Sequence, residues 1–352
     1  MNAALVDRIT RAVLYEGYML YPYRPSAVKN RQRFNFGVLY PRSYSEEQGG
    51  TETSTIDTEC LVLADDATSC AVRVRFLRMV ARSVFALPAA CKAAADNCEK
   101  NAQKVDRLEV SGRIYQPWQE AAEEEIEVSE FGVRALALQP MPWPFRLSAK
   151  SESEPIADDT GERAGFIRRH QEGLAGLIDL SAQSLGGELF RLTARVSNTT
   201  QKPGSQNRDQ ALALSFVSTH TLLEVRGGEF ISLLDPAEKY FEAAKSCHNA
   251  GTWPVLVGDE GQRDTMLSSP IILYDYPQVA PESPGDLFDG AEIDEILSLR
   301  ILAMTEDEKR EMRDSDERAR QILERTETLP GEQLSKLHGA VRGFRRTGGE
   351  AP

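Results

Sequence analysis

Phe190, Leu192, Ala194 and Val196 alternate with Arg191, Thr193 and Arg195, and Val72, Val74 and Phe76 alternate with Arg73 and Arg75. A period of two sends successive side chains to opposite sides of an extended chain, so each run is a strand with one dry face and one wet face. That is the signature of antiparallel sheet with one side packed on a core. No alternation of strands with long helices runs through the chain, which argues against a parallel α/β sheet.

Residues 56–80 read as a β-hairpin turning at Ala64-Asp65-Asp66-Ala67. Residues 88–104 are Ala-rich and predict a helix. Leu108–Tyr115 and Glu125–Ser129 read as strands separated by Trp118, with the acid run Glu123-Glu124-Glu125 as a solvated edge. Pro140, Pro142 and Pro144 lack the N–H that a ladder needs, so this stretch is expected to end a first unit. The polar stretch Ser148–Arg163 reads as a linker or long loop. Beyond it, Leu174–Ser181 and Phe190–Val196 predict paired strands around Gly186-Gly187. Ala211–Arg226 predicts a long strand that turns at Gly227-Gly228 into Glu229–Leu234.

Both ends predict helices. Leu5, Ile9, Ala12 and Val13 share one side of an N-terminal amphipathic helix, which carries acids and lacks the apolar run of a signal peptide. Thr305 and Glu308 form a capping box, and Glu308, Met312, Ser315, Ala319, Ile322 and Thr326 continue a helical stripe. Acid-first pairs Glu306–Arg310, Asp314–Arg318 and Asp316–Arg320 stand at i,i+4. Pro330-Gly331 breaks the helix before a last short one carrying Leu334, Leu337, Val341 and Phe344. The expected fold is α+β, predominantly antiparallel, with two β-rich sandwich- or barrel-like units and a helical C-terminal segment. The division is 1–147, a linker 148–163, 164–290 and 291–352.

Composition narrows function. A chain of 352 residues with net charge −13 predicts two or three domains and argues against a general nucleic-acid binder, which needs a basic face. No apolar run reaches the length of a membrane span. Five unevenly spread cysteines fit reduced thiols in a cytoplasmic protein better than a disulfide framework. Residues 15–44 depart from the acidic average: six of the ten tyrosines fall there, and Arg24, Lys29, Arg31, Arg33 and Arg42 face the single acid Glu16. Such a segment suits stacking on a single-stranded nucleic acid, core tyrosines with hydroxyls at the surface, or a protein interface. Residues 281–317 hold thirteen acids against four bases, the complementary balance.

Motifs for chemistry are sparse. Cys91 and Cys98 match no common zinc spacing, and Cys60 and Cys70 would face one another across a hairpin. Cys247-His248, in a Gly/Pro-punctuated turn, is the one adjacent Cys/His pair and a weak metal candidate. Adjacent residues on an extended chain point apart, so joint ligation needs a special turn. Ser218 and His220 share a strand face without an acid partner, while His170 and His338 are isolated. No phosphate-binding glycine loop occurs, and Val257–Asp264 lacks the alternate acids of an EF-hand. Asp275, Glu282, Asp286, Asp289, Glu292, Asp294 and Glu295 lie close in sequence. They suit either a hard cation in a metal-dependent hydrolase or helix capping at Asp289 with Glu292. No cofactor is expected.

Longer strings carry a likeness. Ser269-Pro-Ile-Ile-Leu-Tyr-Asp-Tyr-Pro, Ala280-Pro-Glu-Ser-Pro-Gly-Asp-Leu-Phe-Asp-Gly and Glu292-Ile-Asp-Glu-Ile-Leu make up one block. Tyr15-Glu-Gly-Tyr-Met-Leu-Tyr-Pro-Tyr-Arg-Pro-Ser with Lys29-Asn-Arg-Gln-Arg-Phe makes a second, and Cys247–Asp264 a third. Together they resemble a bacterial protein family that accompanies nickel–iron hydrogenases of the high-affinity, actinobacterial type. With no paired nucleophile and base, the chain is expected to be a cytoplasmic, non-enzymatic accessory protein acting by protein binding, and the resemblance implies that it serves maturation or assembly of a nickel–iron hydrogenase. Tyr21, Tyr23, Arg24, Lys29, Arg31, Arg33, Asp286, Asp289 and Glu292 are its expected partner-binding residues. Hydrogenase subunits or maturation factors are the expected partners, with no nucleic acid or membrane.

Overall fold

The alternating runs form strands. The computed structural model describes residues 3–15, 36–88, 98–201, 207–278, 301–315 and 317–328. In chain order the strands are β1 (Thr55–Leu63), β2 (Ser69–Ala86), β3 (Gln103–Val105), β4 (Leu108–Val110), β5 (Arg113–Tyr115), β6 (Trp118–Gly132), β7 (Met141–Leu147) and β8 (Lys150–Ala157). They continue with β9 (Arg163–Gln171), β10 (Leu174–Gly186), β11 (Leu189–Asn198), β12 (Val217–Arg226), β13 (Glu229–Ile231), β14 (Trp253–Leu256) and β15 (Thr265–Ser269). The helices are α1 (Ala3–Leu14), α2 (Arg42–Glu47), α3 (Val133–Leu138), α4 (Arg208–Leu212), α5 (Phe241–Lys245), α6 (Glu306–Ser315) and α7 (Glu317–Glu327).

Two antiparallel sheets pack as a sandwich. One runs β13-β1-β11-β10-β7; the other runs β14-β15-β12-β2-β9-β8, with β3 and β6 also pairing β2. The apolar members of each alternation meet between them. Ile56, Cys60 and Val62 of β1 and Phe190, Leu192, Ala194 and Val196 of β11 pack with Val72, Val74 and Phe76 of β2. Phe76, Phe145 and Phe216 form an aromatic knot there, with centroids 4.6 to 6.4 Å apart. Each fully buried side chain of this size stabilises the fold by about 1.5–3 kcal/mol. Gly176 makes room for the knot, because a Cβ there would lie 2.2 Å from the Phe145 ring.

Two bent ribbons join the sheets. At one end β1 runs into β2 through residues 64–68, while β12 runs into β13 through Gly227 and Gly228. Thr68 Oγ1 ties the corners together by donating to Gly227 O at 2.8 Å. A Cβ on Gly228 would sit 2.4 Å from Leu63 O, so only glycine fits this crossing. At the other end β7 leads into β8 and β9 into β10, and one register spans both halves: Leu147 opposes Leu174, and Lys150 opposes Gln171. Arg78 is fully buried beside this bend. Its guanidinium donates to Ser148 O and Glu172 O, both at 2.6 Å, and to Glu124 Oε1 at 3.0 Å. One side chain thus satisfies carbonyls from both connecting turns.

These ribbons correct several expectations. Residues 56–80 are not a hairpin, since β1 and β2 lie in different sheets, and the Gly227-Gly228 turn likewise crosses between sheets. Cys60 and Cys70 are therefore not cross-strand neighbours, although both enter the same core. Residues 208–212 are helical, with an Asn207–Gln210 capping box, and the following strand begins only at Val217. Ser148–Arg163 is not a linker: Lys150–Ala157 pairs with β9 along its length. The proline stretch does not end a unit either. Met141–Leu147 pairs with β10 as the last strand of its sheet, where prolines are tolerated because their missing N–H faces outward. The units 1–147 and 164–290 are interleaved, with β2 pairing both β12 and β9 along the edge opposite β6, and β1 beside β11. Trp118 opens β6 rather than separating strands. Of the Ala-rich stretch, the described part holds a 3₁₀ turn at Cys98–Asn101 followed by β3.

Helices cover the outer face of the larger sheet. Val6, Ile9 and Val13 of α1 pack on Leu222, Val255 and Leu267. Leu14, Met312 and Leu323 join Leu77, Met79, Trp118 and Val217. The C-terminal stripe is two helices rather than one, held together where Lys309 Nζ and Arg313 Nη2 reach the Glu327 carboxylate at 3.4 and 3.2 Å. The Thr305–Glu308 capping box forms as expected. Within α6, Glu306 pairs with Lys309 and Asp307 with Arg310 at i,i+3, in place of the expected Glu306–Arg310 pair, while Asp314–Arg318 and Asp316–Arg320 involve side chains outside the described ones.

Candidate functional site

The outer face of the smaller sheet carries rows of polar side chains at half-exposed positions. Sheet register places Leu177, Ser197 and Thr55 side by side across β10, β11 and β1. In the next row Arg195 holds Asp57 with two bonds, Nε to Oδ1 at 2.6 Å and Nη2 to Oδ2 at 3.1 Å.

The first row floors a cleft of about 670 Å³, walled by Arg42, Ser43 and Glu46 of α2 and by the chain leaving β11. A second cleft of about 600 Å³ lies on the other side of Thr199–Gln201, against Arg146, Ser148, Gly173 and Ala175. The ridge between them is fixed from below. Asn198 Nδ2 donates to Leu39 O and Leu214 O, both at 2.8 Å, and its Oδ1 accepts from Thr200 N at 2.9 Å. Thr200 Oγ1 accepts from Ala175 N at 2.9 Å. These side chains hold the wall and are not free to react. What the clefts offer a ligand is the hydroxyls of Ser43, Ser54 and Thr199, the Gln201 amide, and the charged mouth residues Arg42, Glu46 and Arg146.

The residues singled out in the sequence fall elsewhere. Tyr21, Tyr23, Arg24, Lys29, Arg31, Arg33, Asp286, Asp289 and Glu292 lie outside the described residues. Cys247 and His248 lie at the end of α5, against the far end of the same sheet face. The Cys247 thiol points to Ala243 O at 3.6 Å, and burial raises its pKa against the opposing pull of Arg191. His248 contributes its backbone N–H, which donates to Glu59 Oε2 at 2.7 Å. Among the described residues no three His, Cys, Asp or Glu side chains gather as a metal site. Asp275 has both carboxylate oxygens engaged: Leu256 N–H donates to Oδ1 at 2.8 Å and Ser232 Oγ to Oδ2 at 2.5 Å. That makes it a tie between two loops and β14. Ser218 and His220 are buried beneath α1 at a bulge in β12, where Ser218 has φ 53° and the His220 ring bonds Ser218 O.

One constellation escaped the sequence reading. The acids of β6 are not merely solvated: Glu124 pairs with Arg78, Glu125 with Arg75, and Glu120 with Arg82 and Arg169. The visible signal was the run of arginines at 73, 75, 78 and 82, matched by the glutamates at 120 to 127. Compared with known proteins, the chain matches no family model and no curated protein. No helix among the described residues is long and apolar enough to cross a membrane.

Proposed function

We propose that this chain is a non-enzymatic accessory protein that works by binding another protein. The observation that carries the reading is the pair of adjoining clefts on the smaller sheet, the larger floored by Leu177, Ser197 and Thr55, divided by a rigid ridge. Hydroxyls, an amide and charged groups around a pre-formed floor suit recognition of a polypeptide surface, where polar groups set specificity. The hydrogenase resemblance of the 15–34, 247–264 and 269–297 strings supports a nickel–iron hydrogenase subunit, or one of its maturation intermediates, as the partner.

The test is affinity capture from a native extract, comparing the unaltered chain with Leu177→Arg. The substitution fills the cleft floor at a half-exposed position, where the stability cost is small, about 0.5 kcal/mol. Capture of hydrogenase subunits by the unaltered chain and their loss with the variant is the expected result. Failure of the unaltered chain to retain any specific partner would overturn the reading.

A further inference from the structure

Sheet edges expose unpaired N–H and C=O groups, and folded chains close them with prolines, caps or short strands. In this protein most edges are closed. Strand β7 carries Pro142 and Pro144, and β8 carries Pro155. In β14 residue 254 is proline, the Leu256 N–H is held by Asp275, and Leu256 O accepts from Tyr276 N at 2.7 Å. Strand β13 is three residues long, and Phe230 N donates to Arg263 O at 2.7 Å.

Strand β6 differs. It runs for 15 residues along β2 without a proline. Among the described residues no strand pairs its other side, and no backbone bond outside the β2 ladder involves Glu120–Ser129. Six glutamates and no basic residue lie between Trp118 and Gly132. Four of them are matched by arginines of this chain: Glu120, Glu124 and Glu125 as described above, and Glu130 by Arg226 at 2.5 Å. Among the described residues Glu123 pairs with Arg11 alone, at 3.9 Å with both side chains about half exposed, and Glu127 makes no ion pair. Glu123, Glu125 and Glu127 alternate along one face, so two of the three remain open to a further cation.

We propose that the free edge of β6, from Glu120 to Ser129, receives an extended basic segment of a partner protein by strand addition. This rests on the protein-binding reading and names a site and a partner chemistry for it. Main-chain hydrogen bonds would supply affinity, while lysines or arginines at alternate positions of the incoming strand lie beside Glu123 and Glu127. A second copy of this chain is disfavoured at the same edge, because it would set six glutamates against six.

The probe is a fluorescein-labelled octapeptide in which lysine alternates with threonine or valine, followed by fluorescence anisotropy. Two further versions carry backbone N-methyl groups, one on the lysines and one on the intervening residues. Strand addition uses the amides of one set only. One methylated peptide should therefore bind like the parent and the other roughly tenfold more weakly, the effect of losing several main-chain bonds at once. Glu123→Lys with Glu127→Lys should weaken the parent peptide to a similar degree. Absence of saturable binding, equal binding of the two methylated peptides, or undiminished binding to the lysine variant would each overturn the proposal. If the lysine variant does not fold, the methylation comparison on the unaltered protein decides alone. Failure here leaves the capture comparison with Leu177→Arg standing, whereas failure of the protein-binding reading shows as loss of capture by the unaltered chain.

Discussion

Acid should loosen this fold through His220. The ring is buried beneath α1, with Nδ1 2.7 Å from Ser218 O. A carbonyl only accepts, so Nδ1 carries a proton in the neutral ring and any second proton must go to Nε2. That nitrogen is buried without a hydrogen-bond partner. The charged groups facing it from neighbouring elements are Arg75 of β2, opposite it in register, and Asp7 of α1, which is itself bound to Arg75. Burial, with a smaller push from Arg75, lowers the His220 pKa from 6.5 to about 4. The unfolded chain therefore takes up this proton near pH 6.5 while the native chain stays neutral until about pH 4. Stability is fully present above the unfolded value and falls as pH drops between the two. At about 1.4 kcal/mol per unit, the loss approaches 3 kcal/mol by pH 4. Urea unfolding at pH 7 and at pH 4.5, on the unaltered protein and on His220→Gln, measures the difference. The variant is expected to start less stable, having lost the bond to Ser218, but to lose about 2–3 kcal/mol less on acidification. Equal losses in the two proteins would refute the assignment.

Other perturbations have clear directions. Arg78→Ala should cost about 3–5 kcal/mol in urea unfolding, because it strands Glu124 and leaves the Ser148 and Glu172 carbonyls unsatisfied at the ribbon bend. Burial pushes the Cys70 thiol up to about 12 and raises Cys60 well above its usual range, so both should resist a thiol reagent at pH 8 until the protein is unfolded. Arg31→Glu with Arg33→Glu is expected to weaken capture of the partner, more so at low salt, while moving the thermal midpoint by only a few degrees or about 1 kcal/mol. Failure of that double variant to fold would make these arginines structural ties instead.

Local chemistry was readable from the residues alone. The alternation at 190 to 196 placed the buried face of β11, and Thr305 with Glu308 marked the start of α6, because period and capping depend on neighbours a few positions away. Those signals say which side of a strand is dry, but not which strand lies beside it. Thr55 meets Ser197 across 142 residues, and only closure of both ribbons sends β1 and β2 to opposite sheets. The prolines of β7 became compatible with a strand once assembly placed it last in its sheet. The larger cleft had no sequence signature, since its floor and walls come from 42–55, 177 and 197–201, which register alone brings together. The acids of β6 read as solvent-facing until tertiary packing laid the arginines of β2 beside them. Charge patterns fix their partners only through long-range pairing, and that was decided by the tertiary structure.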